Sequence, residues 1–188
     1  GTYSMELKPE DFENQNENFT NVTFNIVDGA LKINPRNVTL TSASDSKEYD
    51  GTALTNDGII VSGDDFVEGE GASYAVTGSQ TEAGSSANAF TYTLNEGTSA
   101  SNYQITKTEG TLMVNPVTDP VTVTITENSD IATYDGTAHT VSGYTVFIDN
   151  SLYTEADFQF TGNAQVDGIN AGTYSMELKP EDFENQNE

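Results

Sequence analysis

SNYQITKTEGTLMVNP, residues 101–116, and NVTFNIVDGALKINP, residues 21–35, decide the fold. In YQITKT (103–108), TLMVN (111–115) and NVTFNI (21–26), apolar residues alternate with Thr and other polar residues, the period-two pattern of a strand with one buried face. An acid-glycine pair, Glu109-Gly110 or Asp28-Gly29, interrupts each stretch and reads as a tight hairpin joining the last two strands of a module. Both stretches end on Asn-Pro, at Asn115-Pro116 and Asn34-Pro35. Proline removes a donor and restrains the residue before it, so pairing stops there and the linker stiffens.

Working outward, VTVTIT (121–126) and FTYTL (90–94) alternate in the same way, and Tyr49-Asp50-Gly51-Thr52-Ala53 is repeated as Tyr134-Asp135-Gly136-Thr137-Ala138. The Asp-Gly pairs provide the positive-φ position of a turn. Thr77-Gly78 aligns with Thr161-Gly162, and TYTL at 91–94 with TYSMEL at 173–178. KPEDFE, at 8–13 and 179–184, is the only helix-like stretch, with Pro at a first helical position and acids in the first turn. Roughly six or seven short strands per module, with turn signals about every 8–12 residues, predict an all-β chain of tandem small antiparallel β-sandwiches of Ig-like type. A β-grasp arrangement is the alternative.

GTYSMELKPEDFENQNE, residues 1–17, recurs without a mismatch as residues 172–188, a period of 171 residues. With the Asn-Pro endings this predicts a complete module at 36–116 and a second module in two parts, its front at 117–188 and its final part at 1–35. The front part alone would leave apolar positions and strand edges open. The equivalent segment of a neighbouring molecule is expected to insert head to tail, or residues 1–35 of the same chain fold back, or the chain is a window on a continuous fibre.

With 30 acidic and 6 basic residues the formal charge is -24, which repels phosphate backbones and anionic lipid, so neither nucleic acid nor membrane insertion is expected. Apolar residues make up 35%, with nine Tyr and nine Phe, enough to build cores. There is no Cys, so cores must hold the modules without disulfides. His139 is the only histidine and aligns with Leu54, so the position takes an apolar residue within the same chain, and with one His and no Cys a catalytic triad is not expected. No enzyme activity and no catalytic, cofactor-binding or metal residue is expected. The YDGTA motif reads as turn chemistry, with carbohydrate stacking on Tyr134 as the alternative. The acids Asp57, Asp64, Asp65, Glu68 and Glu70, and the group Glu127, Asn128 and Asp130, read as solvated faces, with Ca2+ between modules as the alternative. Lys32 aligns with Met113, and Lys8 and Lys179 with no base of the other module, which supports no shared Lys-Asn crosslink.

YDGTAHTVSGYTV, INAGTYSMELKPEDFEN and the two opening stretches resemble the YDG and MBG type repeats of large bacterial surface proteins, particularly those of gut Firmicutes. The resemblance implies an extracellular, cell-surface repeat acting as a spacer or as the stalk or filament of an adhesin, with no catalytic residues. Its expected partners are neighbouring repeats of the same protein. A multivalent module binding mucin or another glycan is the alternative function.

Overall fold

Most of the alternating runs fold as strands. The computed structural model describes residues 1–186, and its only helical pieces among them are single 3-10 turns. Two compact units result, one of Gly1–Glu48 with Thr52–Asn115, the other of Tyr49–Gly51 with the chain from Pro116 onward. The first carries β1 (Thr2–Ser4), β2 (Ala30–Lys32), β3 (Arg36–Ser42), β4 (Asp45–Glu48), β5 (Ile59–Gly63), β6 (Ala72–Val76), β7 (Gly84–Asn88), β8 (Phe90–Leu94), β9 (Tyr103–Thr108) and β10 (Gly110–Asn115). The second carries β11 (Val123–Glu127), β12 (His139–Ser142), β13 (Tyr144–Ile148), β14 (Phe158–Phe160), β15 (Gln165–Gly168) and β16 (Phe183–Asn185).

In the first unit, β5-β3-β9 and β4-β10-β7 form two sheets, and β6 pairs with β8. Val38, Leu40, Phe90 and Tyr103 form the buried cluster, with Val61, Phe66 and Ile105 packed against it. Burying each such side chain stabilises the fold by about 1.5–3 kcal/mol. The all-β reading holds. The pairing, however, is mixed: β9 runs parallel to β3 and β10 parallel to β4, whereas purely antiparallel ladders were expected.

The same two ladders overturn the Glu109-Gly110 hairpin. β9 and β10 lie in different sheets, so the chain carries on through Glu109 and changes sheet instead of turning back. β3 and β4 do the same alongside through Ala43 and Ser44. The hydroxyl of Ser42 accepts from Gly110 N at 2.9 Å and donates to the Asn88 carbonyl at 2.6 Å, tying the neighbouring bends together. Asn88, fully buried, donates its amide to the carbonyls of Ala43 and Asn56 at 2.9 and 2.8 Å. Gly110 is required because a Cβ there would strike the carbonyls of Ser42 and Ala43. The Asp28-Gly29 hairpin fails likewise: residues 21–27 form no strand, and β2 pairs antiparallel with β1. Throughout residues 1–35 only Phe24 and Ile26 are even half-buried.

The other turn signals hold. Gly51 and Gly136 of the two Asp-Gly pairs have φ of 76° and 81°. KPEDFE folds as a 3-10 turn in both copies, Pro9–Asp11 and Pro180–Asp182, with Asp11 and Asp182 accepting from the backbone N of Lys8 and Lys179 at 2.7 and 2.8 Å.

The second unit consists of three antiparallel pairs, β11·β13, β12·β15 and β14·β16. Tyr144, Phe160 and Phe183 form its aromatic centre, with ring centroids 4.9–5.4 Å apart. No described residue of this unit is buried; its inward side chains are only half-buried.

Candidate interaction site

The two units share one plan. In β3·β5, Val38 faces Gly63, Leu40 faces Val61 and Ser42 faces Ile59; in β11·β13, Val123 faces Ile148, Ile125 faces Val146 and Glu127 faces Tyr144. Thr77 N donates to Ala89 O just before β8, as Thr161 N donates to Asp182 O just before β16. The single bridge Leu54↔Gln80 stands where β12·β15 pairs His139 with Gly168. These registers place Phe183 at the position of Phe90 and AGTYS (171–175) at that of AGSSA (83–87), which corrects the alignment of TYTL with TYSMEL. The second unit inserts the Lys-Pro-Glu-Asp turn where the first has Asn88. At the same corner Glu127 replaces Ser42, and its carboxylate accepts from Leu178 N at 2.7 Å.

One part of the plan differs. β3 lies between β5 and β9, whereas β11 pairs with β13 alone; β10 lies between β4 and β7, whereas the corresponding segments 130–133 and 172–175 form no strands. At the first of these places a groove of about 520 Å³ is lined by Val123, Ile125, Phe158, Leu178 and Phe183. At the second, a groove of about 530 Å³ runs between Asp130–Tyr134 and Ile169–Tyr174. Its wall includes Ile131, 97% exposed. The first groove is mostly apolar, with Glu127 and Lys179 also lining it; the second is mixed, with Asp130 and Asp167 in its wall. Thr137, through its backbone N–H and then its hydroxyl, holds the Asp135 carboxyl below the usual carboxylate range, and the Thr140 hydroxyl does the same for Asp167.

The residues singled out from sequence fall as follows. Asp135 accepts from Thr137 N at 2.9 Å and from the Thr137 hydroxyl at 2.7 Å and lies 3.1 Å from His139 Nε2, a local network that ties the turn together. Tyr134 is exposed and lines the second groove together with Tyr174. Several of the acids considered for calcium have structural partners: Asp64 accepts from Asn37 N at 2.8 Å, the carbonyls of Asp64 and Asp65 accept from Arg36, and Glu70 accepts from the Tyr103 hydroxyl. Among the described residues no three His, Cys, Asp or Glu side chains gather as a cation would require. No helix among them is long and apolar enough to cross a membrane. Sequence reasoning missed the grooves as places, because each is defined by chain segments far apart in sequence; the signal available was the likeness of 21–35 to 102–116.

No curated protein and no solved structure matches the chain. Residues 121–185 match the family model of the MBG domain, so this stretch, which contains β11 to β16 and both grooves, is supported as an MBG/YDG-type module, a structural or binding module of larger proteins.

Proposed function

We propose that this chain is a structural repeat of an extracellular bacterial surface stalk or filament, spacing or assembling adhesive units, and that it catalyses no reaction. The observation that carries the reading is the recurrence of residues 1–17 as 172–188 without a mismatch, in a chain that also repeats an Asn-Pro ending at 34–35 and 115–116. Recombination between identical units changes length, and a spacer tolerates that, whereas a catalytic site needs only one copy. The charge of -24 opposes collapse of neighbouring modules on one another. X-ray scattering from chains of one, two and three 171-residue periods tests it. A rod lengthens in proportion to the number of periods; a maximum dimension that grows only as the cube root of mass overturns the stalk. Antibody against the chain should label the outside of intact producing cells.

A second reading, a glycan-binding module working through many weak copies, is favoured by the presence of Tyr134 and Tyr174 along one groove, since exposed aromatics offer faces for sugar rings. Binding of the full chain on a glycan array that is lost in Tyr134→Ala would establish it, and an array without signal would reject it.

A further inference from the structure

We propose that the two grooves of the second unit receive residues 21–34 of a second copy of this chain as two added strands, joining copies head to tail. The inference concerns how copies join, and it stands whether or not the assembled fibre serves as a stalk.

The first unit contains its own occupant of both places, β9 and β10, and residues 21–35 match that occupant position for position: Asn21 with Asn102, Gly29 with Gly110, Leu31 with Leu112, and Asn34-Pro35 with Asn115-Pro116. The register follows. Ile105 faces Val38 in the parallel β3·β9 ladder, so Phe24 faces Val123 and Ile26 faces Ile125. Leu112 faces Asp45 on one side and Ser86 on the other, so Leu31 faces Asp130 and Tyr174.

The repeated segment tests this placement from within the chain. Its first copy pairs Tyr3 with Leu31 and sets Phe12 against Phe24, ring centroids 5.8 Å apart. Its second copy carries the same residues as Tyr174 and Phe183, which line the second and first grooves respectively. The two contacts that residues 21–34 make with the first copy are therefore the two that the grooves present to a second molecule. Conversely, the second copy pairs Phe183–Asn185 with β14, while the corresponding residues 12–14 form no strand. Each copy displays one half of a single set of pairings.

Energetics point the same way. The exposed edge of β11 offers backbone groups to a parallel strand, and the groove beside it is apolar. Filling it would bury Val123, Ile125 and Phe183, whose counterparts Val38, Leu40 and Phe90 are buried to within 1%. Residues 18–35 contain one acid, Asp28, and one base, Lys32, so the segment enters an acidic unit without net charge of its own. A contact between two different surfaces can repeat from copy to copy, so mass grows with concentration whether the series closes into a ring or runs on as a fibre.

The full chain, a synthetic peptide of residues 18–35 and a chain extended at its C-terminus by residues 18–35 provide the test. At moderate salt the full chain should gain mass with concentration in light scattering, excess peptide should return it to the monomer, and the extended chain should stay monomeric. Phe24→Asp, outside the buried core of the first unit, should stop growth and, placed in the peptide, weaken its binding at least about 10-fold. A parent chain monomeric at every concentration, whether the grooves stay open or close on the same chain, overturns the inference. So does undiminished growth of Phe24→Asp.

Discussion

Asn88 is a small polar side chain buried at the corner where three chain runs bend, and there it organises carbonyls of two other segments. Replacing it by Ala leaves the carbonyls of Ala43 and Asn56 without those donors, a loss of about 2–3 kcal/mol for two such bonds. Asn88→Ala should therefore lower the urea midpoint of the first unit, while Asn16→Ala on the exposed N-terminal segment should not. The Tyr103 hydroxyl gives a pH signature. Burial, then the hydrogen bond it donates to Glu70, pushes its pKa above 10.0. Above pH 10 the unfolded chain loses this proton first, so stability is full below that pH and falls as pH rises towards the folded value. Tyr103→Phe should flatten that alkaline fall in denaturation curves taken from pH 8 to 11, and an unchanged slope would contradict the assignment. At this scale the Asp-Gly turns were legible in the sequence, because a positive φ demands Gly locally. Asn88 was not: in a string such as Ala87-Asn88-Ala89 an asparagine reads as a turn residue, and its burial depends on segments more than thirty residues away.

Gly110 and Gly29 show why strands were easier to find than their pairing. Alternation marked β8, β9, β10 and β11, since side-chain period depends on the strand alone. Partner and direction depend on distant chain, and an acid followed by Gly between two alternating runs suits a hairpin and a crossing between sheets equally well. NVTFNI has a strand's pattern and forms none, because a lone strand without a neighbour has nothing to satisfy its ladder. The two glycines then separate folding from assembly. Gly110→Ala drives a methyl into the carbonyls of Ser42 and Ala43 and should destabilise the first unit by more than about 2 kcal/mol. Gly29→Ala meets only the Met5 methyl, at 3.4 Å, and should leave the melting curve of the isolated chain unchanged. In the proposed complex Gly29 occupies the position of Gly110, so the same substitution should abolish growth in light scattering. Growth at the parent level would remove the second strand from the proposed interface.

For the whole molecule, the contrast between a unit with a buried core and a unit in which no described residue is buried sets the order of unfolding. Stability is distributed with burial and protected backbone bonds, and regions lacking both open first. Calorimetry at low protein concentration should resolve two transitions, the lower belonging to the second unit, with amides of β11 and β13 exchanging before those of β3 and β5. The 18–35 peptide should raise the lower transition alone, by mass action on the unit that binds it. Salt supplies an independent lever. Two chains of charge -24 repel over about 30 Å at 0.01 M salt and about 8 Å at 0.15 M, so association of whole chains should strengthen as salt rises. Binding of the peptide, which carries no net charge on its side chains, should respond far less. That difference separates a contact made by residues 21–34 from a general clustering of acidic chains by cations: clustering would leave the peptide unbound and the lower transition where it was.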